Sequence, residues 1–118
     1  MNRSLSKFSL LIVPILAAAI ATTAPAAAAT TIVVKNWSFS PATITAHVGQ
    51  PTELAFDTKE GVHGVESADV GIAKTMLMPG KVTSVSFTPT KPGTFAVHCA
   101  VVCGTGHAKM MFAVTVVQ

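Results

Sequence analysis

Charged residues are scarce in this 118-residue chain, at 11% of the total, and there are only two cysteines. Two of the eight basic residues, Arg3 and Lys7, lie in the first seven positions. Residues 30–118 then carry six lysines against five acidic residues, a net charge of +1. A domain this close to neutrality has no electrostatic footprint for nucleic acid, so that class of partner is excluded. It also has little long-range steering of charged partners. After residue 30 no helical periodicity, internal repeat or low-complexity linker is present. A second long apolar run is missing too, so no pair of transmembrane helices is expected. No base–nucleophile pair stands out, and the chain is expected not to be an enzyme.

The one long apolar run has the layout of an export signal. Arg3 and Lys7 form a basic start, Leu10 to Ala21 an apolar stretch interrupted by Pro14, and Ala27-Ala28-Ala29 a small-residue cleavage site. Residues 1–29 are therefore read as a signal peptide and residues 30–118 as one small domain, exported or periplasmic and monomeric. The run is short for a membrane span, and an uncleaved anchor is the alternative. No cysteine lies near the cleavage site, which argues against a lipoprotein anchor. Export makes a Cys99–Cys103 disulfide the default fate of two cysteines.

The domain reads as all-β. Short β-branched segments run over Thr31–Lys35, Ala42–His47, Thr52–Asp57, Val62–Glu66, Val82–Phe87, Gly93–His98 and Met110–Val117. Proline and glycine punctuate them at Ser40-Pro41, Gly49-Gln50-Pro51, Pro79-Gly80 and Pro89 to Gly93. About seven short strands at this spacing predict a β-sandwich or barrel. Alternation puts Phe95, Val97 and Cys99 on one face, with Ala96 and His98 on the other. It also puts Met110, Phe112, Val114 and Val116 on one face. If both apolar faces point inward, Cys99 and Met110 emerge at one pole of the core, joined by the loop between them.

That loop concentrates the chemistry. Cys99, Cys103, His107 and Met110 fall within twelve residues, and thiol, imidazole and thioether are the donors that select copper, zinc or iron–sulfur over magnesium or calcium. Gly104 and Gly106 allow the segment to turn tightly. His63, between Gly61 and Gly64, is a further candidate, set where glycines let the backbone approach something closely. Taken singly each residue has a plainer reading. Met110 could be core, as Met76, Met78 and Met111 are expected to be. His63 alone could be a partly buried histidine. Trp37 and Phe39 read as core, His47 as exposed, and His98 as pointing away from Cys99.

Cys-x3-Cys-x3-His-x2-Met, set between two strands, resembles the binuclear copper (CuA) domain of cytochrome c oxidase subunit II and of nitrous oxide reductase. Val62 to Ser67, Pro79-Gly80-Lys81-Val82 and Lys91 to Phe95 are similar to the same family, so the likeness covers about residues 31–117. The resemblance implies a cupredoxin-like Greek-key β-sandwich and a centre of two copper ions. Cys99 and Cys103 would bridge both ions as thiolates, and His63 and His107 would each cap one. Met110 would be a weak axial ligand, and the Val101 carbonyl would contact the other ion weakly. Two positions depart from the pattern: Val101, where oxidase subunits typically carry glutamate, and Lys109, where an aromatic or neutral polar residue is common. The implied role is one-electron transfer with a redox partner such as a c-type cytochrome or a terminal oxidase or reductase. Copper storage or delivery, with a copper donor or acceptor protein as partner, is the alternative. A disulfide-bonded sandwich without metal is the third.

Overall fold

The computed structural model describes residues 9–21 and 28–118. Arg3, Lys7 and Ala27, on which part of the export reading rests, lie outside the described residues. Residues 9–21 form no helix or strand, and among the described residues no helix is long and apolar enough to cross a membrane.

Among the described residues, nine strands form two sheets. The first contains β1 (Thr30–Lys35), β2 (Ser38–Ser40), β4 (Thr52–Thr58) and β7 (Val82–Phe87), in the order β2-β1-β4-β7. The second contains β3 (Thr43–His47), β5 (His63–Ser67), β6 (Ile72–Leu77), β8 (Gly93–His98) and β9 (Met111–Val117), in the order β3-β9-β8-β5-β6. The β1–β4 and β3–β9 pairs are parallel, and the others are antiparallel.

The alternating side chains set the core. Ile32 and Val34 of β1, Leu54 and Phe56 of β4, and Phe112, Val114 and Val116 of β9 are all buried, while their sequence neighbours are not. Phe39, Phe56 and Phe112 tie the two sheets together. Their ring centroids lie 5.2–6.2 Å apart in edge-on or tilted arrangements, the geometry favoured by aromatic quadrupoles. Val97 and Cys99 are buried and His98 is exposed, so the expected alternation through β8 is present. Met110 is buried too, next to β9, and Cys99 N–H donates to its carbonyl at 3.0 Å.

Two strands were not among the seven expected. β2 is only three residues long and buries the single side chain of Phe39, too little to make a periodic signal. β6 is an edge strand that buries its two ends, Ile72 and Leu77, and leaves Ala73, Lys74 and Met76 exposed, so it shows no alternation. A register shift in the β5–β6 pair between Val65 and Ser67 blurs the pattern further. Met76, Met78 and Met111 are consequently surface residues and not core. For Met76 and Met111 the physical reason is the outward face of a pleated strand.

Candidate metal centre

Four segments converge at the pole where β8 ends and β9 begins. His63 opens β5, Cys99 to Cys103 follow β8, His107 begins a single 3₁₀ turn (His107–Lys109), and Met110 leads into β9. Backbone hydrogen bonds fasten the loop to its scaffold. Ala100 N–H donates to the Gly64 carbonyl at 3.2 Å, and His107 N–H donates to that of Gly104 at 3.2 Å. Gly64 permits this approach, because a Cβ there would lie 3.2–3.4 Å from Thr75, Ala100 and Val101.

The side chains form one continuous chain of contacts. His63 Nδ1 lies 3.9 Å from Cys99 Sγ, which lies 3.1 Å from Cys103 Sγ and 3.3 Å from the Val101 carbonyl oxygen. Cys103 Sγ in turn lies 3.6 Å from His107 Nδ1 and 3.7 Å from Met110 Sδ. The ligand atoms of His63, Cys99 and Cys103 all fall within 4.8 Å of one another. All six positions singled out in the sequence therefore meet at one place. The two cysteines are free thiols, so the disulfide weighed above is not formed.

The imidazole of His63 is completely buried and held from behind. Its Nε2 faces two acceptors, the Glu60 carbonyl at 2.8 Å and Asn36 Oδ1 at 3.1 Å. Two acceptors place the proton on Nε2 and leave the Nδ1 lone pair directed at the sulfurs, the outer support typical of metal-ligating histidines. Asn36 is itself anchored, since its N–H donates to the Glu60 carboxylate at 3.1 Å. Gly61 sits where a Cβ would collide with Asn36 Oδ1, and its φ of +73° is one that other residues rarely adopt.

Burial pushes the Cys103 thiol from 9.0 to about 11, with the hydrogen bond to Cys99 and the charge on Cys99 adding to the effect. Near neutral pH Cys103 therefore stays protonated in the metal-free protein. A cation would reverse that preference, because it is the thiolate that binds metal. Two thiols, two imidazoles, a thioether and a carbonyl fit copper by donor chemistry, with no carboxylate among them.

Trp37 corrects an expectation. It is 41% exposed and not core. Its ring lies flat on the ligand loop, where a Cβ on Gly104 would come within 2.9 Å of it and one on Gly106 closer still. Its Nε1–H donates to the Cys103 carbonyl at 2.9 Å. Neither this lid nor the Asn36 support was read from the sequence. The only local signal was the pair of glycines on each side: Gly104 and Gly106 for the ring, Gly61 and Gly64 for His63.

Thiols and imidazoles gathered at one pole define a two-sheet β-sandwich protein with a candidate metal site. The cupredoxin-like domain model matches residues 8–111, and the chain belongs to that family. Among curated proteins it is 41% identical over 47 residues to a probable cytochrome c oxidase subunit 2 of Streptomyces avermitilis. That segment is 40% of this chain, which thus spans only 15% of the relative's length. Among solved structures, a chain of a heme-copper terminal oxidase dimer is 27% identical with a TM-score of 0.64, over 75% of this chain and 65% of the other. The periplasmic domain of cytochrome oxidase subunit II from Bradyrhizobium japonicum is 19% identical with a TM-score of 0.65, over 75% and 82% of the two chains. This second likeness is one of fold.

Proposed function

We propose that the protein is an exported one-electron carrier built on a CuA-type copper pair. The observation that carries the reading is the unbroken run of donors from His63 Nδ1 through both sulfurs to His107 Nδ1 and Met110 Sδ, every step between 3.1 and 3.9 Å. In this reading Cys99 and Cys103 hold the pair as thiolates, His63 and His107 hold its two ends, and Met110 and the Val101 carbonyl make weak contacts. When bound, the pair supplies a site that takes up and gives up one electron. The chain's own residues keep the donors still: Asn36 and the Glu60 carbonyl fix the His63 ring, and Trp37 covers the loop backbone. Stiff support of this kind limits rearrangement between oxidation states. In this reading residues 1–29 direct export, and the partner is a c-type cytochrome or a terminal oxidase or reductase.

Copper delivery is a second reading, favoured by Val101. Its side chain packs close to Gly64, and the position carries no carboxylate of the sort expected to couple the centre to a catalytic subunit. Reconstitution separates the possibilities. The purified, reduced protein is loaded with copper, and metal per chain, visible absorption and EPR are measured. About two copper ions with a mixed-valence signal, retained through redox cycles, are expected. A single copper with an intense blue band, a preference for zinc in the two-thiolate, two-imidazole set, or no uptake would overturn the binuclear reading. Rapid surrender of copper to an acceptor would favour delivery.

A further inference from the structure

Neighbouring residues of a single turn hold the two ends of the donor run. Asn36 and Trp37 are the loop residues of the hairpin between β1 and β2, whose last pair is Lys35 with Ser38. His63, and the strands β8 and β9 that carry the ligand loop, belong to the other sheet. Asn36 Oδ1 accepts from His63 Nε2 at 3.1 Å, and Trp37 Nε1–H donates to the Cys103 carbonyl at 2.9 Å. The Trp37 ring also fills the space beside Gly104 and Gly106, the residues on either side of Thr105 between Cys103 and His107. His107 N–H donates to the Gly104 carbonyl at 3.2 Å, so the ring bears on the segment that carries the second imidazole.

The turn is anchored and the loop is not. β1 lies inside its sheet between β2 and β4, with Ile32 and Val34 buried, and Phe39 of β2 joins the aromatic cluster. Asn36 N–H donates to the Glu60 carboxylate at 3.1 Å, and Lys59 N–H to the Val34 carbonyl at 2.8 Å, tying the turn to the segment before His63. The ligand loop has only short-range backbone bonds over its second half, and a glycine-containing loop of that kind opens locally at low free energy. Core packing does not account for the two turn residues, because both side chains are exposed. What they do share is a long-range hydrogen bond each, to opposite ends of one site.

We propose that Asn36 and Trp37 act together as one clamp, which fixes the spacing between His63 and the Cys103–His107 segment before a metal arrives. Both are positioning residues, since neither side chain belongs to the donor run. A clamp differs from two separate struts. Releasing either end frees the spacing, so releasing the second end changes little more. Holding the donors in place beforehand lowers the cost of ordering them on binding. Bracing of the metal-free loop stands by itself, while the effect on copper rests on the reading above.

Two measurements test bracing and coupling separately. On the full, reduced, metal-free chain, with folding checked by circular dichroism, amide hydrogen exchange is followed residue by residue by NMR. Trp37→Ala should speed exchange at His107, Lys109 and Met110 about tenfold or more and leave Val114 and Val116 in β9 unchanged. Trp37→Phe, which keeps a ring without the N–H donor, should fall between. Unchanged exchange in the loop, or an equal rise in β9, would overturn bracing. Copper affinity is then measured by competition with a chromophoric chelator in the unaltered chain, Asn36→Ala, Trp37→Ala and the double variant, with EPR of each loaded protein. Each single change should weaken binding about 10- to 100-fold and alter the EPR signal. The double variant should bind within about threefold of the weaker single variant. Losses that multiply, or a single variant with unchanged affinity and EPR signal, would overturn the clamp. No copper uptake by the unaltered chain would instead count against the copper reading, with the exchange measurement still decisive for the bracing.

Discussion

The middle of the sandwich and its loop-bearing pole handle burial in opposite ways. In the middle, Phe39, Phe56 and Phe112 pack edge-on or tilted against one another, apolar surface on apolar surface. At the pole an imidazole is completely buried and two thiols are pressed together, one of them held protonated by its surroundings. The middle stabilises the fold through apolar contact. The pole gathers soft donor atoms that could hold a cation. Stability and function are thus separable here, and substitutions should act on one region while sparing the other.

The largest effect is expected in the middle. Phe56→Ala removes the ring that touches both of its aromatic neighbours, and should destabilise the protein by about 3–5 kcal/mol in denaturant unfolding. The cysteine, histidine and methionine donors are untouched, so whatever fraction stays folded should still take up metal. A loss of metal binding in that folded fraction would show that core and pole are coupled.

At the pole, proton binding is the sharper probe. A thiol raised from 9.0 to about 11 has its thiolate fraction near pH 8 cut by about a hundredfold. Iodoacetamide labelling of Cys103, mapped by mass spectrometry on the metal-free reduced protein, should be slow at pH 8 and rise toward pH 11. The sign for stability follows directly. The folded state favours the protonated thiol, so this contribution is fully present below pH 9 and lost as the pH rises through about 11. A metal-free protein whose stability stays level between pH 9 and 11 would contradict the cause given for the shift.

A smaller effect is expected behind His63. Asn36→Ala removes one of two acceptors from Nε2 and should weaken metal affinity about 10- to 100-fold, the range for outer-sphere partners of ligating histidines. The apo protein should unfold almost as before, because Asn36 is exposed. Equal affinity in both proteins would mean that the Glu60 carbonyl holds the ring unaided.

The smallest effect returns to the body of the sandwich. Thr58 is completely buried at the end of β4, and its hydroxyl has no hydrogen-bond partner. Thr58→Val replaces that hydroxyl with a methyl of similar size and should be neutral or stabilising by up to about 1 kcal/mol. A clear loss of stability by the same unfolding measurement would reveal a partner for the hydroxyl.

Local pattern made much of this legible. Alternation along Gly93–Cys99 and Met110–Val116 is a property of the extended chain, so the inward faces and the placement of Cys99 and Met110 at one pole could be read residue by residue. The Cys99–Met110 run likewise declared its donors, because four of them sit on one short loop. His63 was harder, standing 36 positions before Cys99, and only its flanking glycines marked it. Trp37 looked like core because a large aromatic usually is; the loop that its ring covers lies 66 positions away. β6 escaped because an edge strand buries too little to leave a period.

By itself, then, the sequence determined the strand faces and the kinds of donor, since both depend on neighbours a few residues apart. Tertiary structure alone decided which nitrogen of His63 faces the sulfurs, what covers the ligand loop, and how the one turn of Asn36 and Trp37 reaches both His63 and Cys103. Each of those depends on segments that meet only when two sheets close over a common core. Their distances are set by packing, which no local pattern records.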